Sequence, residues 1–267
     1  MCRWLAYSGR PIFLEALVSK PCHSLIRQSH SANECLAATN GDGFGLGWYG
    51  AWDEPGLFRD AMPAWNDDNL RSLTHQISSS LFFAHVRAST GTPSNRVNCH
   101  PFVNGRWMFM HNGQIGEWER VRRKLEARLC DARYALRRGT TDSELMFLML
   151  DEVTLALDPV RAMFDVLTET RKVMIEAGVR EPLRLTAALT DGTNLYAFRY
   201  SSDATPPTLY WRAGDDGIIV VSEPIDANRE MWSAVAPNTV LVVEPSGRCR
   251  QQPFDVEAAL TDMVALA

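Results

Sequence analysis

The chain has 267 residues, 46% hydrophobic and 22% charged, enough to bury a sizeable core as one large domain or two small ones. A net charge of −5 and a pI near 5.7 give no electrostatic case for nucleic acid, and the short basic clusters RVRR (120–123) and RYALRR (133–138) read as solvated helix faces. No run reaches the roughly 18 apolar residues of a membrane span, and the N-terminus lacks the apolar core of a signal peptide, so the expected setting is cytoplasmic, with neither membrane nor nucleic acid as partner.

The first chemically informative residue is Cys2. Its small side chain generally permits removal of the initiator Met, which would leave a thiol and a free α-amine on one residue. Such an amine titrates at roughly 7.7–8.0, low enough to be partly neutral near pH 7 and to serve as the base for its own thiol. The other cysteines, Cys22, Cys35, Cys99, Cys130 and Cys249, are scattered without a CxxC pair, so neither a zinc ribbon nor a disulfide framework is indicated.

Strands are expected at 4–8 and 43–49, the second diluted by Gly43, Gly45 and Gly47, which would allow close backbone approach. An irregular or helical stretch separates them. A helix is predicted over 66–79 with Asn66 as its cap, then strands at 80–87 and 106–112. Apolar residues at helical spacing predict helices over 117–129, 141–157 and 160–177. Beyond Pro182 the pattern turns to strands at 184–189, 195–200, 208–212, 217–222 and 239–243. Runs of strands, then helices, then strands do not alternate as a parallel α/β fold would, so antiparallel sheets with helices packed outside are expected. Residues 1–267 read as a single domain, with the connection at 181–182 as the one candidate subdivision.

Several constellations could carry chemistry. In AHVRAST (84–90), Arg87 ends a hydrophobic strand and is followed by the hydroxyls of Ser89 and Thr90. A guanidinium there is shaped to hold a carboxylate through two parallel hydrogen bonds, although alone a surface arginine is the plainer reading. HNGQI (111–115) contains Asn112–Gly113, a pair suited to a tight hairpin turn. The charged helix expected from Glu117 leaves no immediate second strand. An Asn amide with the adjacent Gly N–H could instead converge on a developing oxyanion, and the residues alone leave both readings open. In TTDSE (140–144), Thr141 and Glu144 fit a capping box that would pin Asp142 at a helix start, where its carboxylate can face an ammonium group. The glycines of 40–49 do not form a nucleotide loop, since GxxxxGK[ST] is absent and a strand follows. His85, His100 and His111 lack HxH or HExxH spacing and read as ordinary hydrogen-bonded histidines. No cofactor or metal is expected.

In this order, Cys2, GDGFGLGWY (41–49), AHVRAST, HPF (100–102), HNGQI and TTDSE resemble the class II glutamine amidotransferases, which are N-terminal nucleophile hydrolases. The likeness is specific over the first 150 residues and continues more weakly through VVSEPI (220–225), Trp232 and Pro237. It is strongest to the short stand-alone members near the γ-glutamyl hydrolases of ergothioneine and glutathione metabolism. The resemblance implies an α+β fold, a four-layer αββα sandwich of two antiparallel sheets. It also implies that Cys2 attacks a side-chain carboxamide, that Asn112 and Gly113 stabilise the oxyanion, and that Arg87 and Asp142 hold the substrate's α-carboxylate and α-ammonium. The partner would be glutamine or another γ-glutamyl small molecule. Ala88 follows Arg87 where many biosynthetic relatives carry an aromatic, so a larger γ-glutamyl compound could fit. No phosphoribosyl-pyrophosphate motif, sugar-isomerase domain or ATP loop follows residue 150, so nothing on this chain evidently consumes ammonia: the resemblance leaves open a glutamine amidotransferase serving a separate synthase subunit and a free-standing hydrolase of a γ-glutamyl conjugate with no ammonia transfer. A non-catalytic binding module on the same fold is the rival from another class.

Overall fold

A computed structural model describes residues 2–34, 39–89 and 91–265; Cys35 and Thr90, singled out above, lie outside them. The first half of the chain runs β1 (Arg3–Phe13), α1 (Glu15–Val18), α2 (Leu25–His30), β2 (Phe44–Trp48), β3 (Gly56–Asp60), α3 (Asp68–Gln76), β4 (Ser78–Val86), β5 (Phe102–Asn104) and β6 (Trp107–Gln114). Five helices follow: α4 (Trp118–Glu126), α5 (Asp131–Leu136), α6 (Asp142–Met149), α7 (Glu152–Leu157) and α8 (Pro159–Glu176). The chain then forms β7 (Arg184–Thr190), β8 (Leu195–Ser201), β9 (Tyr210–Ala213), β10 (Gly217–Val221), β11 (Ser233–Ala234), β12 (Thr239–Val243), β13 (Cys249–Pro253) and α9 (Val256–Ala265).

Among the described residues the strands form two antiparallel sheets, ordered β11-β9-β10-β1-β4-β2-β3 and β13-β12-β8-β7-β6-β5. Side chains alternate between faces with period two, and both faces of the central strands are buried. On β1, Trp4 and Ala6 turn into the space between the sheets, while Leu5 and Tyr7 pack under α1–α3. On β6, Met108 and Met110 face inward and Phe109 faces the helices α4, α6 and α8. Three apolar cores thus separate four layers, the αββα sandwich expected above. Among the described residues no helix is long and apolar enough to cross a membrane.

The differences from the sequence reading are local. Helix α3 begins at Asp68, because Asp67 rather than Asn66 supplies the capping oxygen, taken up by the Leu70 N–H at 2.6 Å. The helix expected over 141–157 is two helices, since Asp151 accepts from the Thr154 N–H at 2.8 Å and starts a new one. The strand placed at 208–212 starts at Tyr210. Strands β3 and β13 have no counterpart in the sequence reading. They are sheet edges with partly exposed side chains, so their apolar alternation is weak. No hairpin forms at Asn112–Gly113: β6 runs through both residues and pairs with β7, Asn112 opposite Thr186 and Gly113 opposite Leu185.

Candidate active site

The N-terminal end of β1 meets the C-terminal ends of β4 and β6 beside the start of α6. A cavity of about 320 Å³ opens there, lined by Cys2, Arg87, Gly113 and Asp142 together with Ala88, Ser89, Thr92, His100, His111, Gln114, Thr141, Ser143 and Arg184. Four of the five residues singled out from the sequence therefore share one cavity. The fifth, Asn112, is not among the lining residues. It lies directly beside Gly113 and is 1% exposed.

Asn112 has the parity of Met108 and Met110, so its side chain points between the sheets, whereas His111 turns the other way and meets Ser143 Oγ at 2.8 Å through Nδ1. Among the described residues neither amide atom of Asn112 has a hydrogen-bond partner. A buried amide left unpaired costs roughly 1–3 kcal/mol, and a folded chain retains that cost chiefly where a ligand or water completes it. Behind it, Trp4 Nε1 donates to Thr186 Oγ1 at 3.3 Å and that hydroxyl donates to the Asn112 carbonyl at 3.4 Å. Strand β1, which Cys2 precedes, is thereby tied across the sandwich to β6, which carries Asn112.

Gly113 has φ +152°, and a Cβ there would sit 1.8 Å from the Arg184 carbonyl oxygen. Only glycine fits. The glycines of β2 answer a similar demand: a Cβ at Gly45 would lie 2.1 Å from the His100 carbonyl, which explains the close approach anticipated for this segment.

Arg87 is 3% exposed, and its guanidinium donates to the Asp42 carbonyl, Ser89 Oγ, the Thr92 carbonyl and Thr92 Oγ1. All of these acceptors are neutral, and among the described residues no carboxylate lies within ion-pair distance. A buried cation so held is electrostatically complete only with an anion from outside. The Gly-rich segment supports it: the Arg87 N–H donates to the Gly43 carbonyl, Asp42 N–H to the Arg87 carbonyl, and Asp42 Oδ2 accepts the Ser89 N–H at 2.8 Å.

Asp142 is the first residue of α6. Thr141 Oγ1 accepts the Glu144 N–H at 3.1 Å, as the capping reading requires, but Glu144 does not reciprocate and instead accepts from Arg138 N–H and Gly139 N–H. The Asp142 carboxylate accepts the Ile115 N–H at 2.9 Å and the Ser143 N–H at 2.7 Å, and it has no ion-pair partner among the described residues. Arg184 is the other lining cation, but it is bound to Asp203. The cavity therefore presents one uncompensated cation, Arg87, and one uncompensated anion, Asp142.

The Cys2 thiol is half-buried, 3.6 Å from the Ala88 carbonyl, and burial pushes its pKa up against the opposing positive charges of Arg87 and Arg3. It needs a base to act as a nucleophile near pH 7. The nearby histidines are poor candidates. Burial lowers the pKa of His85 to about 3 and depresses those of His100 and His111, keeping all three neutral. Sequence reasoning missed the supporting roles of Asp42, His111 and Ser143. Asp42 sat inside a motif read only for its glycines, and the His111–Ser143 contact joins residues 32 positions apart.

Comparison with known proteins identifies the family. A family model described as class II glutamine amidotransferases matches residues 15–205, a span that contains Arg87, Asn112, Gly113 and Asp142 and begins after Cys2. The chain is 35% identical over 293 residues to the probable glutamine amidotransferase DUG3 of Saccharomyces cerevisiae, covering 91% of this chain and 82% of that protein. It is 27% identical over 251 residues to a γ-glutamyl-hercynylcysteine sulfoxide hydrolase of Mycobacterium tuberculosis, covering 92% and 94% respectively. A solved glutamine aminotransferase class-II domain protein from Silicibacter pomeroyi superposes with a TM-score of 0.74 at 36% identity, over 95% of this chain and 99% of that one. The glutamine phosphoribosylpyrophosphate amidotransferase of B. subtilis, at 11% identity and a TM-score of 0.60, shares the fold over 96% of this chain and 49% of its own.

Proposed function

The chain belongs to the class II glutamine amidotransferases, and from that premise we propose that it hydrolyses a γ-glutamyl amide through Cys2, exposed as the first residue once Met1 is removed. The observation that carries the proposal is the cavity's charge pattern: a buried Arg87 and an Asp142, neither with an ion-pair partner among the described residues, flank a thiol. The α-carbon of glutamine bears one carboxylate and one ammonium, which Arg87 and Asp142 would hold respectively. The freed α-amine of Cys2 accepts the thiol proton, through water where needed, and Sγ attacks the γ-carbonyl carbon. The unpaired Asn112 amide and the Gly113 N–H receive the negative charge that develops on oxygen. The ammonium proton then passes to the leaving nitrogen as the C–N bond breaks, releasing ammonia or an amine and leaving a γ-glutamyl thioester. Water attacks the thioester, the amine takes its proton, and glutamate departs as the thiol re-forms.

In this reading residues 1–267 act as one domain in the cytoplasm and need no cofactor or metal. Ammonia from glutamine would pass to a separate synthase. A second reading, a free-standing hydrolase of a γ-glutamyl conjugate, is favoured by Ala88, whose small side chain lines the cavity, and by the names of the mycobacterial relatives. The test is turnover of glutamine and a panel of γ-glutamyl conjugates by wild type and Cys2→Ala, with ammonia, amine and glutamate quantified and Met1 removal read by intact mass. Loss of activity in Cys2→Ala is expected. Equal activity in the two proteins, or retention of Met1 on active protein, would sink the mechanism, and no turnover of any substrate by wild type would leave the non-catalytic module as the better reading. The preferred leaving group separates the two enzymatic alternatives.

A further inference from the structure

Cys2 lies beyond the end of the sheet. The β1–β4 ladder begins with Arg3 opposite Val86, and toward β10 the last contacts are Trp4 N–H to Ser222 Oγ at 2.8 Å and Ser222 N–H to the Trp4 carbonyl at 3.1 Å. With Met1 gone, residue 2 would have no upstream peptide to restrain it. Among the described residues its backbone is held by one side-chain contact: Arg3 Nη1 donates to the Cys2 carbonyl at 3.0 Å. Arg3 alternates with Trp4, so this guanidinium approaches from the helix side of the sheet, opposite the cavity.

The guanidinium is itself aimed by Glu223. Arg3 Nε meets Glu223 Oε2 at 3.0 Å, and the two side chains are 1% and 0% exposed. The same carboxylate takes His23 Nε2 at 2.6 Å and accepts the Asn33 and Glu34 N–H groups at 2.8 and 3.0 Å. Gln28 Nε2 donates to the Glu223 carbonyl at 3.3 Å, anchoring the segment from α2. Glu223 is the acidic residue of VVSEPI, which the catalytic steps leave without a role.

We propose that Arg3 and Glu223 are a positioning pair for the nucleophile, Glu223 orienting the Arg3 guanidinium and Arg3 fixing the carbonyl of Cys2 when that residue heads the chain. The proposal rests on Cys2 being the nucleophile. It goes beyond that assignment by placing control of the thiol's aim on the far side of the sheet, at a carboxylate that also holds the 33–34 segment. The pair acts through geometry and charge together. The Arg3 cation stabilises a thiolate at Cys2, and Glu223 offsets it.

Glu223→Gln, Arg3→Met and Arg3→Lys in the full chain test this, with four readouts: melting temperature, Met1 removal by intact mass, kcat and KM for the best substrate of the panel, and the pH midpoint of iodoacetamide alkylation followed on the Cys2 peptide. Displacing a reacting atom by about 1 Å can cost on the order of 10²-fold, so kcat is expected to fall ~10- to 100-fold in folded protein, with KM within roughly threefold of wild type. The alkylation midpoint should move down in Glu223→Gln, which leaves Arg3 uncompensated, and up in Arg3→Met, which removes the cation beside Cys2 and keeps the Glu223 carboxylate. Arg3→Lys keeps the charge, so it should hold the midpoint and still lose kcat. Folded variants with wild-type kcat, or activity lost only in proportion to folded protein with midpoints unmoved, would overturn the proposal. Should Glu223→Gln fail to fold, the Arg3→Lys split between midpoint and kcat decides alone. Equal activity of wild type and Cys2→Ala would instead overturn the nucleophile assignment, and the alkylation midpoints separate the two failures.

Discussion

Gly113→Ala puts the proposed oxyanion site under a defined mechanical load. The new Cβ would lie 1.8 Å from the Arg184 carbonyl oxygen and 2.6 Å from His111 Nε2, where side-chain carbons essentially never approach within 3.0 Å. The obstructing oxygen is backbone in β7, opposite Gln114 in the ladder, so no rotamer change relieves the clash and β6 must part from β7 by more than 1 Å. Overpacking of this kind costs about 1–3 kcal/mol, and an L-residue at φ +152° adds strain of about the same size. At about 2–4 °C per kcal/mol for a chain near this length, the melting temperature should fall roughly 4–24 °C. Displacement of the Gly113 N–H by about 1 Å should lower kcat on the order of 10²-fold, similar to deleting one oxyanion donor. Gly178→Ala is the control. It also has positive φ, +64°, but no atom lies within 4 Å of its Cβ, so it should lose about 1 kcal/mol of stability and no activity. Thermal melts and steady-state kinetics on both variants suffice. A Gly113→Ala protein with wild-type melting temperature and more than about a tenth of wild-type kcat would refute the reasoning.

Three further outcomes follow from the same geometry. Asn112→Ala should lower kcat by roughly 10²–10³ with KM little changed, while stability stays level or rises because an unpaired buried amide is removed; urea unfolding beside kinetics checks both halves. Arg87→Met and Asp142→Asn should each raise KM for glutamine with little change in melting temperature, since each removes a charge proposed to pair with the substrate; isothermal binding to Cys2→Ala protein gives the affinity directly. Stability should fall as pH drops below 6.5, because the unfolded chain then protonates histidines that the folded chain keeps neutral. For His85 this window extends from its ordinary 6.5 down to about 3, at a slope of ~1.4 kcal/mol per pH unit, and His100 and His111 act in the same direction. Urea midpoints at pH 7, 6 and 5 read the slope before the carboxylates titrate, and a flat profile would contradict the burial of these rings.

How much of this was legible in the sequence depends on the range of the physics involved. The central strands were readable because both of their faces are buried and the apolar run is continuous, as at Leu81, Phe82, Phe83 and Ala84 of β4. The edge strands β3 and β13 were not, because partial exposure erases the signal. The cap at Thr141 was local and therefore visible; the break at Asp151 was just as local, but the apolar spacing of Leu145, Leu148, Val153 and Leu157 continues across it and masks the new cap. At Asn112 the ambiguity was one of parity. Once β6 is known to run straight through, period two sends Asn112 between the sheets and His111 toward Ser143, and the hairpin reading disappears.

The Arg3–Glu223 pair belongs to another class. Its residues are 220 positions apart, and no spacing rule joins them. A nucleophile at the head of a chain is restrained by covalent structure from one side only, so its orientation must be completed by groups that arrive through the fold. A serine or cysteine in mid-chain has two flanking peptides to do this work. It follows that local motifs specify what such a site can react with, whereas the residues that aim it are brought from distant segments, in the proposal above the connection after β10 and the first residue of β1.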